Sequence, residues 1–292
     1  MTRLRGTLMA AAVALVLCGA CARPAADGAP AAPPRSPAPP VTNANDLVLR
    51  TQTYGGFVPP DLTVGRLPEV SVYSDGRVIT NGPVPAIYPG RALPNVQVQT
   101  VTEAKVKQLL QQAQAAGVRD GADFGRPNVA DAPTTQVTIV TTQGRQSVAV
   151  EALQQSRPDD PQLTAAQRDA RTKLAAFVKT LTDLPTSTGY NPQPYAPEAV
   201  AVLARPWQKS GDGPQSPPKA WPGPALPGTY LNPSFKIGCV VVTGTDKDKV
   251  LAAAQDATMI TPWTAGKDKY LISFRPLLPD EKDCAVLQGP RR

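Results

Sequence analysis

Apolar and polar residues begin to alternate near Asp46. Leu47, Leu49 and Thr51 recur at every second position, the spacing of a half-buried strand. Val70, Val72 and Val78 flank Ser74-Asp75-Gly76-Arg77. Asp-Gly between short β-rich runs predicts a hairpin, because its turn needs positive φ angles. Val96, Val98 and Val101 predict a further extended stretch. The period then changes: Val106, Leu109, Leu110 and Ala113 share one face of a helix over about 102–116, which Thr102 can cap and Gly117 can end. Val137, Ile139 and Thr141, then Gln143-Gly144, then Val148 and Val150 predict a second hairpin. Thr164-Ala165-Ala166-Gln167 fits a capping box, opening a helix to about Thr182 with Ala166, Ala170, Leu174, Val178 and Leu181 facing inward.

Prolines then take over. Residues 185–198 form a Pro-rich connector, and a short strand, Ala199 to Ala204, ends at Arg205-Pro206. Residues 206–234 hold eight prolines and two tryptophans and read as a long irregular strap. Loops of that length are uncommon inside compact domains and are often functional or disordered. The last unit reads as a strand from Phe235 to Thr243, a helix from Asp246 to Ala257 with Val250, Leu251 and Ala254 on one side, and a strand from Tyr270 to Phe274. The predicted class is α+β: antiparallel hairpins with packed amphipathic helices, plus a C-terminal β-α-β unit.

The first 20 residues differ from all of this. Arg3 and Arg5 precede an apolar run from Leu8 to Leu17, and Gly19-Ala20 supplies small residues, the layout of a secretory signal. Leu17-Cys18-Gly19-Ala20-Cys21 resembles a bacterial lipobox, with Cys18 where such motifs usually carry leucine. The resemblance implies cleavage before Cys21 and lipidation of that cysteine. The expected location is the extracytoplasmic face of the cell membrane, or the exterior if Cys21 carries no lipid. Residues 22–44 are nearly all Ala, Pro, Gly, Ser and Thr, a composition that cannot bury a core and predicts a disordered tether. The expected organisation is a signal peptide over 1–20, anchor and tether over 21–45, and an α+β domain over 46–184. A connector and strap follow over 185–234. The C-terminal unit over 235–292 either stands apart or shares one core with 46–184.

The formal charge is +7, and removing the two arginines of the signal leaves +5. Lys and Arg are scattered, so no basic stripe with interleaved aromatics predicts nucleic-acid binding. The expected membrane contact runs through the N-terminal lipid. Cys239 and Cys284 remain as an even pair in an oxidising compartment and predict a disulfide, the alternative being two buried free thiols. Two cysteines without histidine fall short of a structural zinc set, so no metal and no cofactor are expected.

The chain has no histidine, which excludes Ser-His-Asp and Cys-His catalysis. Ser216-Pro217-Pro218-Lys219 has the Ser-x-x-Lys spacing of penicillin-binding proteins. Its prolines oppose the helix that spacing needs, and no partner motif accompanies it. Paired carboxylates can cleave glycosides. The candidates are Asp120, Asp123, Asp131, Asp159 and Asp160, with Asp246, Asp248, Asp280, Glu281 and Asp283 reading as solvated charges. No catalytic residue is assigned. Trp207, Trp221 and Trp263, with Tyr230, can line a ligand groove on the strap or glue it to the domain.

Several runs resemble a family. These are Arg50 to Gly56, Phe57-Val58-Pro59-Pro60, Leu67-Pro68-Glu69, Tyr73 to Ile79, and Arg275-Pro276-Leu277-Leu278-Pro279-Asp280-Glu281 with Cys284. They are similar to uncharacterised secreted or lipid-anchored proteins of high-GC actinobacteria, over most of residues 46–287. The resemblance implies an envelope location and brings no activity. The expected role is a lipoprotein that binds an envelope protein, a wall polymer or a signalling partner. The alternatives are a histidine-free carboxylate hydrolase acting on wall material, or a structural spacer.

Overall fold

Ala199 to Ala204 is an unbroken apolar run, and such runs belong to strands covered on both faces. In the computed structural model this run lies in β8 (Ala199–Pro206), hydrogen-bonded on both sides within a six-stranded sheet. Residues 43, 45–58, 63–157, 159–187, 189–209 and 213–288 are described. The expected signal, Cys21 and all of the tether except Asn43 and Asn45 lie outside them.

The first sheet has seven strands: β1 (Leu47–Gly55), β2 (Val70–Tyr73), β3 (Arg77–Asn81), β4 (Val96–Thr100), β5 (Pro133–Thr141), β6 (Gly144–Glu151) and β7 (Gln193–Pro194). Their order is β6-β5-β1-β2-β3-β4-β7, antiparallel throughout. The β2–β3 turn passes through Gly76 at φ 85°, where a Cβ would collide with the Val101 carbonyl oxygen. Two helices follow sheet strands in the chain. In α1 (Glu103–Ala115) the Thr102 hydroxyl accepts from the Lys105 amide, and Gly117 at φ 86° turns the chain so that the Val118 N–H reaches the Ala113 carbonyl. In α2 (Ala165–Thr182) Thr164 and Gln167 close a reciprocal capping box.

One face of the first sheet forms a core with these helices. Leu49, Val70, Val72, Val137 and Ile139 from the strands pack with Val106, Leu109, Leu174, Phe177 and Leu181. Arg171 is also buried on α2; its guanidinium donates to the carbonyls of Phe124, Glu151 and Ala152. The opposite face carries Tyr73, Ile79 and Val96, and it is covered by Leu278 from near the end of the chain.

The second sheet contains β8, β9 (Lys219–Ala220), β10 (Thr229–Asn232), β11 (Ile237–Thr243), β12 (Pro262–Ala265) and β13 (Asp268–Pro276), in the order β10-β11-β8-β13-β12-β9. β11 and β13 both run antiparallel to β8, which separates them. The C-terminal unit therefore differs from the expected β-α-β: a further strand, β12, comes between the helix and β13, and β8, from before the strap, lies between β11 and β13. Its helix, α3 (Gly244–Ala254), starts and stops earlier than the sequence pattern indicated. Val200, Val202 and Ala204 point to the layer holding α3, while Ala201 and Leu203 point to the layer holding Cys239, Leu277 and Leu287. Both faces of β8 are thus apolar for a packing reason. Cys239 and Cys284 are joined, tying the 3-10 helix Cys284–Gln288 to β11.

The strap is not a free loop. β9 pairs in parallel with β12 at one edge of the second sheet, and β10 pairs with β11 at the other. The described residues from Asn43 to Gln288 fall in one compact unit, including both sheets.

Candidate functional site

Of the four aromatic candidates, Trp221 and Trp263 are brought together, whereas Trp207 and Tyr230 stand apart from them. Trp263, on β12, is only 1% exposed and meets Trp221 and Phe274 edge-on, at 5.8 and 5.7 Å between ring centroids. Trp221 follows β9, and its indole N–H donates to the Pro224 carbonyl at 2.6 Å. These two rings bind the strap to the core. Trp207 is half-buried, with the Lys269 ammonium 5.5 Å from its ring. Tyr230 is exposed on β10, at the edge of the sheet opposite β9.

One group of exposed apolar residues gathers elsewhere. Between β3 and β4, Val84, Ile87 and Tyr88 are 71%, 61% and 68% exposed. The neck of this loop is closed by Gly82 N–H to Asn95 O and Asn95 Nδ2 to Pro83 O, both 2.7 Å. Its return leg is fixed to the second sheet's side of the molecule: Arg91 bridges Thr258, the Ala92 N–H reaches Ala257 O, and the Met259 N–H reaches Gly90 O. Met259 is itself exposed and adds to the surface. Ser216 of the strap reaches the same turn, with its hydroxyl 2.9 Å from that of Thr258. The apolar tip is therefore presented by an anchored frame. Its sequence signal is Pro83-Val84-Pro85-Ala86-Ile87-Tyr88-Pro89, too proline-rich for a strand and too apolar for an ordinary solvated turn.

Where the loop returns, at Leu93, a groove of about 460 Å³ begins. Pro94, Pro194, Tyr195, Pro197 and Leu251 line it, so its walls come from both sheets' layers. The Tyr195 hydroxyl donates to the Leu277 carbonyl at 2.9 Å, and burial pushes this phenol up to about 12.

A polar network lies between the first sheet and the segment after β13. Arg50 on β1 donates to Ser71 Oγ, Tyr73 Oη and Asp280 Oδ1. Tyr73 Oη also donates to Asp280 Oδ1, at 2.7 Å. Burial pulls the Arg50 guanidinium down, but Asp280 chiefly, with Tyr73 and Glu281, more than restores it, so it stays above its ordinary value. Burial drives the Tyr73 phenol far up, so it remains a neutral donor. Arg275 forks onto Glu281, whose carboxylate also accepts from the Leu278 N–H. The network lines a second cavity of about 460 Å³, which also holds Gln52, Arg66, Gln136 and Arg145. Among the described residues, neither Arg66 nor Arg145 forms an ion pair.

Most of the remaining chemical candidates have structural partners. Ser216 faces Thr258, whereas Lys219 donates to the Ala253 carbonyl, so the Ser-x-x-Lys pair engages two different groups. Asp120 accepts from the Ser147 N–H, Asp123 from Gln167 and the Gly125 N–H, and Asp160 from the Gln162 N–H. Asp159 pairs with Arg157, Asp246 with Lys249 and Asp248 with Lys247, and Asp283 accepts from the Ala285 N–H. Asp131 sits at positive φ, 52°, before β5. Among the described residues, no three Cys, Asp or Glu side chains converge as a metal site would need, and no helix is long and apolar enough to cross a membrane.

The chain matches no protein-family model, and no curated protein is significantly similar to it.

Proposed function

We propose that this protein is a lipid-anchored protein of the cell envelope that serves as a binding module, docking a protein partner through the 82–92 loop. The observation that carries the reading is the anchored, exposed group Val84, Ile87, Tyr88 and Met259. Large apolar side chains held in water by a fixed backbone gain about 1.5–3 kcal/mol each when a partner buries them. The rim is polar and mixed, with Asn81, Arg91, Asn95, Gln255 and Asp256 exposed around or next to the apolar centre. A lipid surface favours clustered Lys and Arg, whereas an apolar centre with a mixed polar rim suits a protein partner. The neighbouring proline-lined groove extends the surface toward β7 and α3. The address rests on the Arg3–Leu17 signal pattern and the lipobox-like ending at Cys21, and the resemblance to actinobacterial secreted proteins agrees with it.

A hydrolase would need two converging carboxylates, one of them with a raised pKa. Asp280 and Glu281 are each held by an arginine. Glu69, whose carboxyl burial pushes up, lines a different cavity. The binding reading is therefore preferred to the carboxylate hydrolase and to the spacer.

The test places a photo-activatable amino acid at Tyr88 in living cells, with Lys107 on α1 as the control position. Discrete adducts at Tyr88, lost with Ile87→Ser and absent at Lys107, are expected. Identical adduct patterns at the two positions would refute docking through this loop. Cys21→Ala should move the protein out of the membrane fraction, and its retention there would refute the lipid anchor.

A further inference from the structure

We infer that the cavity between the outer face of the first sheet and the C-terminal 3-10 helix binds an oxyanion: a carboxylate or phosphate carried on a small hydroxyl-bearing molecule. The inference does not rest on the docking surface, which involves other residues.

The cavity lining includes the four arginines Arg50, Arg66, Arg145 and Arg275, against the two carboxylates Asp280 and Glu281. Arg50 is committed to Asp280 and Arg275 to Glu281, both pairs being largely buried. Among the described lining residues, two guanidiniums are thus left without a carboxylate of the lining paired to them. Arg66 donates to the Thr53 carbonyl at 3.4 Å and feels Glu69, yet among the described residues it forms no ion pair; Arg145 is exposed and forms none with them either. A guanidinium carries five N–H donors in a planar fork that matches carboxylate and phosphate oxygens. Clefts with one sign of charge in excess, and low-dielectric walls, concentrate ions of the opposite sign.

The rest of the wall suits hydroxyl groups. Arg50, Gln52 and Tyr54 alternate with Leu49, Thr51 and Thr53 along β1, so Gln52 shares the outer face with the ion-paired arginine. The Gln52 amide donates to Gln136 Oε1 at 2.6 Å, and the Gln136 amide donates to Ser147 Oγ at 3.1 Å. Ser147 is itself held through its N–H by Asp120. This row of amides and hydroxyl is pre-set by strand pairing between β1, β5 and β6, so little side-chain ordering remains for binding. The opposite wall, Leu287 and Gln288, is fixed by the Cys239–Cys284 disulfide. Five separate chain segments therefore build a hydrogen-bonding cavity with two guanidiniums unpaired among the described residues. Its volume of about 460 Å³ falls in the range of small-molecule sites.

The purified protein is titrated with inorganic phosphate, with glucuronate and with uncharged glucose, by calorimetry at low and high salt. Saturable binding of phosphate or glucuronate, weakened by salt and not seen with glucose, is expected; whichever anion binds identifies the oxyanion. Arg145→Gln, an exposed change that leaves the fold intact, should weaken binding about tenfold, and Arg66→Gln should do the same. Arg119→Gln, outside the cavity, should leave it unchanged. Ile87→Ser should also leave it unchanged, which separates this site from the docking surface. Failure of both anions to bind, equal binding of glucose, or wild-type affinity in both arginine variants would overturn the assignment.

Discussion

Arg50 Nη2 and Asp280 Oδ1 meet at 2.7 Å although 230 residues separate them in the chain. The contact fastens the second strand-rich layer's exit segment to the first sheet, and Tyr73 joins it through the same carboxylate oxygen. Removing one member of a mostly buried ion pair strands the other charge, which typically costs about 3–5 kcal/mol. Arg50→Met should lower the unfolding free energy by about 3 kcal/mol, and Arg50→Met combined with Asp280→Leu should recover much of that loss. Urea denaturation of the single and double variants checks this; strictly additive losses would show that the two groups do not act as a pair.

The Cys239–Cys284 bond spans 45 residues of sequence and holds Leu287 against Leu277 and Ile237. Its loss should reduce stability by about 3–4 kcal/mol. Thermal unfolding with and without reductant, with thiol counting to verify cleavage, measures it. An unchanged melting temperature in the fully reduced protein would contradict the prediction.

Trp263 and Ile87 are an opposed pair of apolar residues. Trp263→Ala should cost about 3–5 kcal/mol, because the ring fills the core between Trp221 and Phe274. Ile87→Ser should change stability by less than about 0.5 kcal/mol, since the side chain is already in water. Guanidinium denaturation of both variants distinguishes them, and a large loss from Ile87→Ser would mean the loop tip packs inward.

Glu69 gives a pH dependence with a definite sign. Burial raises its carboxyl, against weaker opposing effects from a Thr53 hydrogen bond, its own backbone and Arg66. The folded state therefore holds the proton more tightly than the unfolded chain. Its destabilising effect is absent at pH below the ordinary carboxyl value and grows as pH rises through the raised folded value. Glu69→Gln should raise the melting temperature at neutral pH and give a flatter profile above the ordinary carboxyl range, from about pH 4 upward. A variant whose profile parallels the wild type would refute this.

Local chemistry was legible in the chain. Thr102 and the Thr164–Gln167 box mark the starts of α1 and α2, and Asp75-Gly76 marks the β2–β3 turn. Each of these signals is complete within a few residues. The inward set on α2 was legible in part: Leu174, Val178 and Leu181 follow the helical period, but Phe177 and Arg171 are buried beside them. Nothing local marks Arg171 as buried, because the carbonyls that solvate it come from residues 124–152, far away in sequence.

The edge strands β7, β9 and β10 were not legible either. Each is two to four residues long and sits in proline-rich sequence, and each becomes a strand only because a longer neighbour supplies its hydrogen-bond partners. The proline-spaced apolar tip at 83–89 carries its own signal, whereas the arginine-rich cavity carries none. By itself the sequence determined the α+β class, the helix caps, the hairpin turn and the cysteine pair, since propensity and capping act over a single turn or strand. Tertiary structure alone decided that β8 lies between β11 and β13, that Trp263 is core, and that Arg50 finds Asp280, because burial and charge pairing depend on which distant segments close over a residue.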